Sequence, residues 1–180
     1  MENLTVDAAP DFERAYPPLQ KAIERDYGVT CVRAPVQSGY FGDLNGAEIR
    51  IDQSLGPEDS LFTLLHLFGH TVQWNLEGVR DFNIKPGNLS EEVIREVIDY
   101  EHEACRYSMR LLQDQGFAHL EPWLSEYSAA DLRHLLHYYR TGEQLGAQPF
   151  RNSGEPMMQP LEIPPFKAKV LRWRWDGIVV

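Results

Sequence analysis

The segment LFTLLHLFGHTVQW carries two histidines, His66 and His70, four residues apart. On a helix, which turns about 100° per residue, Thr63, His66, His70 and Gln73 fall within an arc of about 80°. Leu, Phe and Val fill most of the remaining circumference, so the segment reads as a buried helix with one polar stripe. Buried polar groups require hydrogen-bond or metal partners. Gly69, lacking a side chain beside that stripe, leaves room for another segment to come close. The segment EEVIREVIDYEHEACRYSMRLL offers one. Its residues Ile94, Val97, Ala104, Cys105, Ser108 and Leu112 lie within about 60° of Glu101, so the amphipathic pattern turns Glu101 inward. Glu92, Asp99, Glu103 and Arg110 fall on the opposite, solvated side, and His102 lies at the edge of the stripe. An inward glutamate is almost never left unpaired. Two imidazoles one turn apart and a carboxylate from a neighbouring helix make the three-ligand set of an open zinc site: His66, His70 and Glu101, with water as the fourth ligand. Calcium and magnesium favour more oxygen ligands. The competing reading makes His66 and His70 core histidines bonded to Thr63, Gln73, Glu101 or backbone carbonyls. The inward Glu101 moves the balance toward the metal.

Four helices and a small sheet are expected to position these residues. Asp11 can cap the first helix, the Pro17-Pro18 step can open it, Leu19, Ile23 and Tyr27 share one face, and Gly28 ends it. VTCVR from Val29 reads as a strand, and GYFG, DLNG and AEIRID as a hairpin, because Ala47, Ile49 and Ile51 alternate with Glu48, Arg50 and Asp52. The His66 helix begins near Gly56-Pro57-Glu58-Asp59 and runs to about Trp74. The Glu101 helix starts after Pro86-Gly87, with Asn88 and Glu91 as a capping box or Ser90 as the cap, and continues to about Gln115. In the fourth helix Ser128 and Asp131 have capping-box spacing ahead of the stripe Leu132, Leu135, Leu136 and Tyr139, with a stop at Thr141-Gly142. His134 and His137 fall off that stripe, on a solvated face. A proline-rich tail, 147–180, should wrap the domain and end in a half-buried strand that alternates Leu171, Trp173 and Trp175. The expected fold is a single α+β domain over 1–180, mostly helical with a small antiparallel sheet.

HLFGH within FTLLHLFGHTVQW, the preceding hairpin FGDLNGAEIRID and the following YEHEACRYSMRLL resemble the ImmA/IrrE group of small gluzincin-type metallopeptidases over roughly residues 15–115. The resemblance implies a zincin-like fold, zinc held by His66, His70 and Glu101, and a regulatory or stress-related bacterial role. That family reads HExxH on one helix and E-x-x-A-N on the next. Here Leu67 stands in the place of the general-base glutamate, and Cys105 in the place of the residue after the alanine. Leucine can neither take nor return a proton, and positioned acid-base catalysis is worth about 10²- to 10⁴-fold. Cys105 is either a soft fourth ligand or a small buried hydrophobe.

The whole chain carries 17 Lys+Arg against 27 Asp+Glu, a net charge of −10, which disfavours a phosphate-binding surface and so direct contact with nucleic acid. Two cysteines make no disulfide framework, no signal-like segment opens the chain, and the longest apolar stretch is far too short to span a bilayer, so a cytoplasmic protein is expected. There is no Gly-rich phosphate loop, no GxSxG elbow and no CxxC pair. The expected function is a zinc-binding protein of metallopeptidase-like fold, without ordinary peptidase activity and regulatory in role. One alternative is an active metal-dependent hydrolase with a substitute base, such as His102, Glu103 or an acid of the tail. Another is a metal-free module that binds a protein or peptide through its proline-rich, tryptophan-bearing tail.

Overall fold

The structure is a computed structural model that describes residues 11–172 apart from Asn83 and Asn88. Helix α1 spans Phe12–Tyr27, and the Asp11 carboxylate accepts from the Arg14 N–H at 3.0 Å. Pro17 and Pro18 lie inside α1 rather than opening it. Each proline removes one helical hydrogen bond, but Ala15, Leu19, Ala22 and Ile23 bury the inner face, and that packing holds the helix through the step.

Three short strands follow: β1 (Thr30–Ala34), β2 (Gly42–Leu44) and β3 (Glu48–Asp52), in the order β1-β3-β2. The β2–β3 hairpin is antiparallel as the alternation implies, with Ile49 and Ile51 fully buried. The sheet as a whole is mixed, because β1 pairs parallel to β3 and the expectation of a purely antiparallel sheet fails. Alternating burial reports which face is wet and carries no information on strand direction. The 35–41 loop reverses the chain and inserts β3 between its predecessors.

Helix α2 (Pro57–Glu77) has Pro57 in its first turn and Glu58 and Asp59 at its positive end. It is the central element, with Leu61, Leu64, Leu65, Leu67, Phe68 and Trp74 all fully buried. Helix α3 (Glu91–Asp114) is capped by Ser90, whose hydroxyl accepts from the Val93 N–H at 3.2 Å; the Asn88 alternative lies outside the described residues. The two helices cross at Gly69. A methyl group added there would overlap the backbone of Ala104, with its Cα only 2.9 Å away. The Ser108 hydroxyl donates across the same crossing to the Leu65 carbonyl at 2.6 Å.

Helix α4 spans Glu121–Thr141 and starts about two turns before the expected cap. Ser128 and Asp131 are therefore mid-helix residues, and Ser128 engages the Cys105 thiol instead of a helix end. His134 and His137 are half-buried rather than solvated, since the 3-10 turn Gln148–Phe150 folds back on α4 and sets Phe150 beside both rings. The tail does wrap the core: Leu161 donates its N–H to the Arg106 carbonyl, Phe166 stacks on Tyr27, and Leu171 donates to the Asn45 carbonyl at 2.9 Å. Residues 169–172 form no strand, and Trp173 and Trp175 lie outside the described residues. Among the described residues no helix is long and apolar enough to cross a membrane. The result is a single α+β domain of four helices and a three-stranded sheet.

The crossing at Gly69 sets the distance between the two helices that carry the polar stripe. Gly69→Ala should lower stability by about 1–3 kcal/mol through the enforced overlap with Ala104, measured as a shift of the urea unfolding midpoint.

Candidate metal centre

The crossing brings His66, His70 and Glu101 together, with their ligand atoms all within 4.8 Å of one another. Glu101 Oε2 stands 3.2 Å from His70 Nε2 and 3.9 Å from His66 Nε2. The imidazole rings meet edge to face at 4.6 Å, and His70 also stacks on Tyr100. Two ligands of a tetrahedral ion bound at about 2.1 Å are roughly 3.4 Å apart, so a zinc-sized cation fits between these groups with small side-chain adjustment.

A chain of hydrogen bonds fixes which nitrogen of His70 faces the site. The Gln73 amide donates to the Tyr100 carbonyl at 2.8 Å and to Glu103 Oε2 at 2.7 Å, so its nitrogen end is committed. Gln73 Oε1 is thereby left to accept, and the Nδ1–H of His70 donates to it at 2.9 Å. His70 Nε2 then carries a lone pair, and it points toward a carboxylate. In that tautomer Nε2 is buried without a hydrogen-bond partner, and its neighbour at 3.2 Å is the Glu101 carboxylate. Two acceptors facing each other in a buried site call for a cation, either a proton or a metal ion. The three residues could hold a metal ion, and the buried Nε2 facing a carboxylate is compatible with one.

In the absence of a metal the electrostatics put a proton between His70 and Glu101. Burial, reinforced by His70, lowers the His66 pKa to about 4, so His66 presents a neutral imidazole. Burial acts to lower His70 as well, but the Glu101 carboxylate outweighs it and raises His70 above the ordinary histidine value. Glu101 would be raised by burial, yet the two histidines hold it below the usual carboxylate range.

These residues form the floor of a cavity of about 570 Å³. Phe62, Tyr40 and Phe41 rise on one side, and Asp131, His134 and Tyr138 on the α4 side. Several expectations change here. Glu103 is part of the buried network through Gln73, because its long side chain bends back from the helix flank. His102 stays outside the converging group and acts on Glu101 only through its charge. Cys105 is a free buried thiol outside that group, its pKa pushed up to about 11 chiefly by burial, so it behaves as a small hydrophobe rather than a ligand. Leu67 does not line the cavity: it is fully buried and packs toward Gly42 of β2, where a Cβ would lie 2.9 Å from its Cδ1.

Asp131 is the site residue that pattern reading missed. Burial first, and the Glu101 charge second, push its carboxyl up to about 7. Its spacing from Ser128 imitates a helix cap; the signal that could have placed it was its position one residue before Leu132 in a longer helix.

No protein-family model, curated protein or solved structure matches the chain. What the site does therefore rests on its own geometry.

Gln73→Ala should weaken metal binding about 10- to 100-fold by freeing the tautomer and orientation of His70, read by competition with a chromogenic chelator. A proton on His70 competes with the metal, and the Glu101 carboxylate raises the His70 pKa above its ordinary 6.5. Affinity should be full at pH values above that raised pKa and fall by about tenfold per unit once pH drops below it, measured as zinc retained after dialysis at each pH.

Proposed function

We propose that the protein holds a zinc ion on His66, His70 and Glu101, in a metallopeptidase-like centre from which the usual general base is missing. The observation that carries this reading is the buried His70 Nε2, aimed at the Glu101 carboxylate without a hydrogen-bond partner. The donor set of two imidazoles and one carboxylate favours zinc over calcium or magnesium, and leaves a coordination position open toward the cavity. A bound zinc would supply Lewis acidity there, polarising a carbonyl oxygen or lowering the pKa of a water. Gln73 orients His70, and Phe62 and Tyr100 wall the histidines.

The resemblance to ImmA/IrrE-type metallopeptidases supports the same assignment, with HLFGH and Glu101 in the metal-binding positions. The glutamate route of those enzymes has no counterpart, since Leu67 belongs to the packing of α2 on the sheet. A regulatory role is what that resemblance implies. The cavity volume lies within the range of small-molecule pockets, and its walls of Tyr40, Phe41 and Tyr138 suit an aromatic or apolar side chain of a bound peptide.

Metal analysis of untagged protein tests the assignment. About one equivalent of zinc should copurify, and His70→Ala or Glu101→Gln should each weaken binding by more than about 100-fold, a larger loss than orienting residues give. Binding unaffected by both substitutions would end the proposal. Leu67→Glu should give no gain in peptide turnover over wild type and should lower stability by at least about 2 kcal/mol, because the new carboxylate enters a closed apolar space; urea unfolding and a chelator-controlled peptide assay read the two effects.

A further inference from the structure

The cavity contains more proton chemistry than the three metal-binding residues use. Helix α4 faces them with Asp131 and, one turn further on, His134. Most other polar side chains around the cavity are committed. The Tyr127 hydroxyl donates to Asp59 at 2.7 Å, the Tyr100 hydroxyl accepts from the Trp74 indole at 3.0 Å, and Asp81 lies 3.9 Å from Arg172. Asp131 makes no hydrogen bond or ion pair with any described residue, although it lies close enough to Glu101 and His70 to interact with both charges. It also stays outside the group of converging ligand atoms, so it is placed to act beside a metal rather than on it. An acid turned into a cavity, unpartnered and across from an open coordination position, is positioned as a proton acceptor.

We propose that Asp131 is the general base that Leu67 cannot be, and that the centre is a hydrolase of peptide or ester carbonyls. This rests on the zinc assignment above. The Asp131 carboxylate takes one proton from a water molecule in the cavity. The water oxygen forms a bond to the substrate carbonyl carbon while the C=O π pair moves onto the carbonyl oxygen. Collapse of the adduct restores the C=O bond and breaks the C–N or C–O bond. The leaving group departs with that electron pair and receives the proton from Asp131. One water is consumed, a carboxylic acid and an amine or alcohol are formed, and nothing is oxidised or reduced.

The test uses the full-length zinc-loaded protein with p-nitrophenyl acetate and a quenched-fluorescence peptide mixture. Wild type should show chelator-sensitive turnover on at least one probe. Asp131→Asn should lower kcat/KM by about 10²- to 10⁴-fold at unchanged zinc content, and Asp131→Glu should recover part of the loss. Acetohydroxamic acid gives a readout independent of turnover, because its N–OH proton needs an acceptor when the anion binds. Calorimetry should show its affinity falling about 10- to 100-fold in Asp131→Asn, the loss of one charge-assisted hydrogen bond. Unchanged kinetics and hydroxamate affinity in Asp131→Asn, or wild type without chelator-sensitive turnover on either probe, overturn the role of Asp131. If those results come with one equivalent of zinc still bound, the metal assignment stands alone; if wild type takes up no zinc, both readings fall.

Discussion

A neutral imidazole lone pair and a carboxylate oxygen cannot share a buried space 3.2 Å apart without a positive charge between them. The rest of the centre follows from that constraint. The close passage of α3 over Gly69 brings Glu101 to His70, and Gln73 removes the simplest escape by occupying the other ring nitrogen. Gln73 is itself tied to the Tyr100 carbonyl and to Glu103, so the tautomer of a residue on α2 is set by the neighbouring helix. The two helices are thus joined by apolar packing and by a polar network that ends at the His70–Glu101 contact, where a proton or a metal ion can supply the positive charge.

Leu67 lies beside the first histidine in sequence but takes no part in the candidate metal site. The position following the first histidine projects toward β2 and fills the space over Gly42, in the core rather than on the cavity wall. Chemistry at this centre must draw its base from another element. Helix α4 is the wall that faces His66, His70 and Glu101, and it presents Asp131 and His134. Its packing against Phe150 and the tail connects the far wall of the cavity to the C-terminal wrap, so the cavity is built by parts of the chain far apart in sequence.

The convergence of His66, His70 and Glu101 was legible in the sequence because they lie on long helices whose periodicity is strong. His66 and His70 share a face by spacing alone, and Glu101 shares its helix face with Ile94, Cys105 and Leu112, which the structure also buries. Gly69 announced the close crossing through the absence of a side chain. The errors came where a local signal had a stronger competitor. The Pro17-Pro18 step reads as a helix start, but the buried face of α1 carries the helix through it. The Ser128 and Asp131 spacing reads as a cap, but α4 already begins at Glu121, and both residues are used inside the fold. Glu103 falls on the outer side of its helix by angle, and reaches Gln73 through the length of its side chain. The parallel pairing of β1 with β3 left no trace in the alternation, because burial repeats every two residues whichever way a strand runs.

The most direct measurement is an anomalous difference map collected at the zinc edge from crystals of the untagged protein. The account predicts one strong peak bonded to Nε2 of His70, with His66 and a Glu101 carboxylate oxygen completing the protein ligands at about 2.0–2.2 Å. Density without a peak, with His70 Nε2 bonded instead to a water or a protein hydroxyl, would contradict it.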